Sequence, residues 1–491
     1  MVRRCCFFLL LLSCSYGLAD GKSSPKPPAQ VGNSDELPVT TSSTRARTDF
    51  EAAMQNFEQY RLNNSLDFLR AATKSDPKFA QAFIMIAKIS KDPAEQADAR
   101  QQAKQLAPGV SAGEQLLIRW LAGAQEDDYL PAIAAMNDLL AKYPRDARLA
   151  FLAGDWLTLQ ERYHQAAVVL EHALSILPDY PAVLNDLGYT YAFDGDFEKA
   201  FAAMDRYVAL VPNEPNPHDS YGEILRMDGK FDAALEQYRS SVRMDPNFGS
   251  EIGIADTLAL MGKEQEAREE YERAIVFAGS QGDKVQFELQ SALTWIREGN
   301  HRQSEKALAE VAKHAHAAGL GKLEAEAHRV LAMYEPNSKL AVKELQAAEY
   351  ALQEPHQLSE TDRNEEQARI LQVQATRLAG EDMGSAAKAV SQLETMAEKS
   401  RSQVIQLCYH GAAGATLLVQ GKYVEAISHL QEDSADPISM RLLWRAYSST
   451  GAVAAAQAIA SKLATLDVPT VEQALVVPEF RASLVSQARQ P

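Results

Sequence analysis

ARLAFLAGDWLTLQERYHQAAVVLEHALSILPDY (147–180), PAVLNDLGYTYAFDGDFEKAFAAMDRYVALVPNE (181–214) and PNPHDSYGEILRMDGKFDAALEQYRSSVRMDPNF (215–248) follow one another directly, each 34 residues long. Laid beneath one another they align without a gap. Gly154, Gly188 and Gly222 share a column, as do Ala166, Ala200 and Ala234, and Pro178, Pro212 and Pro246. Self-similarity at such a period marks a repeat array, whose units bury their apolar faces against their neighbours. The period therefore decides the fold ahead of any local motif. It predicts an all-α stack of paired helices.

Each column has a physical reason. Glycine inside a helix costs about 1 kcal/mol against alanine, so Gly154, Gly188 and Gly222 predict close approach of a neighbouring helix. Ala166, Ala200, Ala234 and Ala267 are small for the same reason, and Leu170, Met204, Tyr238 and Tyr271 fill the space between. Gly195, Gly229 and Gly262 fall where the first helix of a pair must end in a left-handed residue. Pro178, Pro212 and Pro246 stop the second helix, because proline deeper inside loses a hydrogen bond and clashes.

Outward from this centre the pattern weakens but stays helical. Toward the N-terminus, Phe50, Met54, Phe57 and Tyr60 recur at helical spacing, followed by pairs at 80–89 with 94–106 and at 111–125 with 131–142. Beyond Gly279 the spacing lengthens, with pairs at 323–334 and 340–352 and at 365–379 and 386–400. Gly414, Leu417, Gly421, Tyr423, Ala426 and Leu430 then restore the columns. Pro469 and Pro478 are expected to delimit a short terminal element that caps the last apolar face. The organisation read from this is a signal segment (1–19), a disordered linker (20–47), divergent repeats (48–146), regular repeats (147–281), irregular hairpins (282–406) and terminal repeats with a cap (407–491).

The linker assignment rests on Pro, Ser, Thr and charges without apolar periodicity. The signal segment has Arg3 and Arg4, an apolar run from Cys5 to Leu12, and small residues to Ala19. Cleavage after Ala19 predicts an exported protein, periplasmic or secreted. Leu11-Leu12-Ser13-Cys14 resembles a bacterial lipobox, and anchoring through Cys14 is the alternative. Cys408, the cysteine left outside the leader, sits in an apolar run and reads as a core residue.

Among 491 residues, 49 Lys and Arg face 66 Asp and Glu, a net charge of -17. Nucleic-acid binding needs cations to displace phosphate counterions, so this balance excludes it as an expectation. No phosphate loop, dinucleotide fingerprint, zinc-protease or nucleophile-elbow motif occurs, and no cofactor is expected. His314 and His316 lie two apart, pointing away from each other on a helix, a poor chelate. Glu365 with Glu366 and Asp127 with Asp128 read as solvated faces.

The order Leu184, Leu187, Gly188, Tyr191, Ala200, Met204 and Pro212, repeated as His218, Tyr221, Gly222, Leu225, Ala234, Tyr238 and Pro246, resembles the tetratricopeptide repeat family. His218 and Ala150 depart from its large apolar first column. The array is also similar to those that some soil bacteria append to Ser/Thr kinases, although no kinase motif occurs. The resemblance implies a right-handed α-solenoid whose first helices line a concave groove for protein or peptide segments. It places Arg148, Phe151, Asp155, Thr158 and Leu159 in that groove, then Ala182, Asn185, Tyr189, Ala192 and Phe193, then Asn216, Asp219, Glu223, Arg226 and Met227. Asn185, Tyr189, Phe193, Asp219, Glu223 and Arg226 are the candidate partner-binding residues, since they differ between blocks. The clamp of lysines and asparagines by which some members hold a carboxylate tail is not reproduced, and the acidic surroundings suit a basic or polar segment. The expectation is a non-enzymatic exported scaffold, in cell-envelope assembly. A hydrolase with its site in 283–406, or a small-molecule or glycan binder, is the alternative.

Overall fold

The computed structural model describes residues 35–126, 128–353 and 358–488. The signal segment, Cys14, linker residues 20–34 and Asp127 lie outside them. Among the described residues every regular element is a helix.

Twelve successive pairs account for almost all of it. The first five are α1 (Thr44–Glu58) with α2 (Leu62–Ser75), α3 (Ala80–Ile89) with α4 (Pro93–Leu106), α5 (Ala112–Gln125) with α6 (Tyr129–Lys142), α7 (Ala147–Leu159) with α8 (Tyr163–Ile176), and α9 (Pro181–Asp194) with α10 (Phe197–Leu210). Next come α11 (Pro215–Met227) with α12 (Phe231–Met244), α13 (Glu251–Leu260) with α14 (Glu264–Val276), and α15 (Gln281–Arg297) with α16 (His301–Ala317). The rest are α17 (Gly321–Tyr334) with α18 (Ser338–Gln353), α19 (Glu360–Leu378) with α20 (Met383–Lys399), α21 (Gln403–Val419) with α22 (Tyr423–Glu432), and α23 (Pro437–Thr450) with α24 (Val453–Ala464). A last helix, α25 (Val471–Ala488), follows. The described residues form two compact units, one running to Asp228 and including Ser240–Phe248, the other comprising Gly229–Arg239 and everything from Gly249. Within each, helix pairs stack on one another as an all-α repeat solenoid.

The columns do what their chemistry demands. Gly195, Gly229 and Gly262 take φ of 86°, 73° and 76°, and the Gly195 and Asp196 N–H groups close the end of α9 on the Ala192 and Tyr191 carbonyls. Glu161 occupies the equivalent place 34 residues before Gly195 and adopts φ 59° without being glycine. A Cβ on Gly154 would lie 2.4 Å from Leu170 Cγ, and one on Gly188 2.1 Å from Met204 Cε, so each glycine faces the expected large partner. Ala166, Ala200, Ala234 and Ala267 are fully buried.

Two expectations are corrected. Residues 35–43 are not a loose linker. Leu37 N–H donates to Asp146 Oδ2 at 2.9 Å, Thr40 N–H to Glu114 Oε1 at 2.8 Å, and the Thr41 hydroxyl to Asp76. Ser43 caps α1, and Ala46 is wholly buried in its first turn. A run lacking apolar periodicity is thus ordered by carboxylates that other turns supply. The second correction is Pro478, which lies inside α25 instead of ending an element. Burial of Val476, Val477 and Phe480 around it holds the helix continuous. No described helix is long and apolar enough to cross a membrane.

Candidate partner-binding faces

The first helices of the pairs carry the residues expected in a groove. In the unit ending at Asp228, those of α7 are met by helices far earlier in the chain. Arg148 Nε donates to Glu58 Oε1 at 2.6 Å, and its Nη1 lies 3.4 Å from Glu51. Phe151 packs on Phe57, ring centroids 5.9 Å apart, and Asp155 receives Lys88 at 2.7 Å. Thr158 shares a 2.7 Å hydrogen bond with Thr190. Carboxylates and cations of α1 and α3 therefore neutralise those of α7, and aromatic rings fill the space between.

The α9 face is met in the same way. Tyr60 Oη lies 2.6 Å from Asp186 Oδ1 and 3.0 Å from the Ala182 carbonyl. Burial, and then the Asp155 charge, push the Asp186 carboxyl well above the usual carboxylate range. A protonated Asp186 can donate through Oδ1 to the phenol while the phenol donates to Ala182, and Asp186 Oδ2 stays buried without a hydrogen-bond partner. Tyr60 adopts φ 57° at the turn after α1, which directs its ring toward α9.

Of the six candidate residues, five are buried: Asn185 and Tyr189 at 4% exposure, Arg226 at 5%, Glu223 at 8% and Asp219 at 9%. Phe193 is half-buried. The structure brings three of them together: Tyr189 Oη donates to Glu223 Oε2 at 3.0 Å, and Arg226 Nη2 donates to Glu223 Oε1 at 3.1 Å. Phe193 stacks on Tyr189 at 6.0 Å and packs on Tyr163 at 5.7 Å. Asn185 leaves its Oδ1 buried without a hydrogen-bond partner. Tyr189 thus links α9 to Glu223 of α11, and Arg226 pairs with Glu223 along the same helix. Charge pairing of Glu51 and Glu58 with Arg148, and of Lys88 with Asp155, was present in the sequence but spread over divergent repeats.

In the other unit the face is occupied by a helix of the chain. Val471 and Ala474 of α25 join a buried cluster with Val285, Leu289 and Ala292 of α15. Val476, Val477 and Phe480 join another with Met440 of α23 and Leu463 of α24. The second contact covers the last pair, as a cap would; the first sets α25 between two first helices, against the face expected to line the groove. Glu472 lies 3.6 Å from Arg329 of α17.

The remaining chemistry is structural. Arg329 and Glu366 are buried at 4% and 2% exposure and joined at 2.8 Å, so the reading of Glu366 as a solvated face is corrected. Burial pushes the Glu366 carboxyl up, but Arg329 and Arg369 outweigh it and hold it below its usual range. Glu365 instead accepts from Ser402 at 2.6 Å. His314 pairs with Glu288 at 2.7 Å and His316 with Glu324 at 3.2 Å, so the two rings serve different carboxylates. Burial pushes the Cys408 thiol up, the opposite of an activated nucleophile. Among the described residues no three His, Cys, Asp or Glu side chains are grouped to hold a metal ion.

Residues 157–223 match the family model described as tetratricopeptide repeat. Over that stretch the chain is similar to tetratricopeptide repeats. A stretch of 119 residues, 24% of the chain, is 25% identical to the general transcriptional corepressor trfA of Dictyostelium discoideum, and spans only 9% of that protein. The Cut9–Hcn1 hetero-tetramer of the APC/C has a similar chain at 18% identity, covering 84% of this chain and 78% of that one with a TM-score of 0.39. PilW, a type IV pilus biogenesis factor, is similar at 20% identity over 41% of this chain and 94% of its own, with a TM-score of 0.30. The repeats matched by the family model are those whose first helices carry Asn185, Tyr189, Phe193, Asp219 and Glu223.

Proposed function

We propose that this chain is an exported scaffold or adaptor that holds protein segments against the inner faces of its tetratricopeptide repeats, in assembly of the cell envelope. The observation that carries the reading is α25, a helix seated between α15 and α23 on the face of first helices. A surface that accommodates one helix between apolar walls has the width and charged contacts to accommodate another. Tetratricopeptide repeats supply such faces without catalytic groups. The titratable side chains that converge within 282–406, Glu326, Arg329, Glu366 and Arg369, neutralise one another, and lend the hydrolase alternative no support. Export rests on Arg3, Arg4, the apolar run to Leu12 and the small residues before Asp20.

A photo-crosslinking amino acid in place of the half-buried Phe193, and a second in place of the half-buried Trp444 on the α23 wall of the α25 seat, tests this in cells at native expression. Recovery of the same protein partner from either position is the expected outcome. Recovery of none beyond an unsubstituted control would sink the scaffold reading. Intact-mass measurement of the purified chain is expected to place Asp20 first; a lipid-modified Cys14 in first place would replace secretion by anchoring.

A further inference from the structure

The seat of α25 has two apolar walls, the α15 cluster around Val471 and Ala474 and the α23–α24 cluster around Val476, Val477 and Phe480. Phe480 meets Trp444 edge-on, ring centroids 5.2 Å apart. The polar side is poorly matched. Arg329 is already engaged by Glu366 at 2.8 Å and Glu326 at 3.6 Å, so Glu472 is a third carboxylate on one guanidinium. Burial and the Glu472 charge push the carboxyls of Asp433 and Asp436, at the turn before α23, up, so seating Glu472 works against their ionisation. Arg481 is held by Asp467 at 2.7 Å, yet brings its charge toward Arg297 of α15. Gln473 is buried with Oε1 lacking a hydrogen bond, and Pro478 removes a backbone donor from mid-helix.

Each mismatch subtracts from the gain of burying the apolar side chains, because like charges and unmet polar atoms cost most where water is excluded. Good apolar walls with a strained polar side suit a segment that must leave as well as bind. We propose that α25 is a resident, displaceable ligand of this inner face, standing in for a partner's helix that is apolar on two sides. That helix places apolar side chains at every third position, as Val471, Ala474, Val477 and Phe480 stand in α25. The inference rests on the scaffold reading above and adds to it the partner's pattern and its competition with α25.

A fluorescein-labelled synthetic peptide of residues 469–488, titrated into the full chain by fluorescence anisotropy, is the probe. Val477→Asp in the chain places a charge in the fully buried seat and evicts α25. A site occupied most of the time shows a dissociation constant raised by the inverse of its vacant fraction. The Val477→Asp chain is therefore expected to bind the peptide at least tenfold tighter than the unaltered chain, and a Phe480→Ala peptide, which loses the contact with Trp444, to bind several-fold more weakly. Hydrogen exchange on the unaltered chain with peptide in excess should deprotect 471–488 while α15 stays protected. A Val477→Asp chain with native helical circular dichroism and no peptide binding overturns the proposal. Should that variant unfold, the exchange measurement decides, and unchanged protection of 471–488 in excess peptide overturns it. A partner recovered by crosslinking while α25 stays immovable would sink displacement alone; loss of both would take the scaffold reading with it.

Discussion

At the scale of single residues, the glycine column is one device executed with two different partners. Leu170 meets Gly154 with its branched Cγ, at 2.4 Å from where a Cβ would stand, whereas Met204 meets Gly188 with its flexible end, Cε. Alanine at either place gains about 1 kcal/mol of helix propensity. At Gly154 overpacking should cost about 1 to 3 kcal/mol, so Gly154→Ala is expected to be net destabilising in chemical denaturation. Gly188→Ala should come out close to neutral, because Met204 can swing aside. Equal effects at both sites would mean that helix spacing, not partner shape, sets the cost. These columns were legible in the sequence because packing demands one residue type at one period. The surroundings of Asn185, Tyr189 and Glu223 were not, because burial depends on residues such as Tyr60 that lie outside the repeat carrying them.

At the scale of elements, the ends of the chain diverge most from expectation, for opposite reasons. Residues 35–43 lacked a periodic signal yet are held by Asp76, Glu114 and Asp146, groups that helix ends offer regardless of period. In α25 the apolar residues lie on two sides instead of one, the pattern of a helix pressed between walls, and Pro478 disguised it as two pieces. Its seating should depend on pH. Asp436 caps α23 by accepting the Ser439 N–H at 2.8 Å, and burial first, Glu472 second, push its carboxyl up to about 7. Release removes the Glu472 charge, so the seated state holds this proton more firmly than the released state. Seating is therefore favoured most at low pH and weakens as pH rises toward about 7. Asp433 is pushed up as well and acts in the same sense; Arg329, Glu326 and Glu366, on α17 and α19, complete the charges around Glu472. Exchange protection of 471–488 should fall between pH 5 and pH 8, and Asp436→Asn, which can still cap, should flatten that dependence.

For the whole molecule, a repeat array ordinarily behaves as a one-dimensional chain of neighbours that can open anywhere and fray from its ends. The tie from Tyr60 to Asp186 spans 126 residues, and that from Arg148 to Glu58 spans 90. Such links close loops around the intervening helices, so α7 and α9 cannot loosen without breaking with α1 and α3. Tyr60→Phe removes the hydroxyl beside Asp186 and should cost about 1 to 3 kcal/mol, the price of a buried polar group left unmet. Hydrogen exchange gives the sharper reading. In the unaltered chain, α1 and α9 should exchange at a common rate set by a single opening event; in Tyr60→Phe, α1 should open first. Closing the stretch from α1 to α9 on its own beginning turns a stack that could peel repeat by repeat into one that opens all at once. A protease then finds no partly opened intermediate of that stretch to cut.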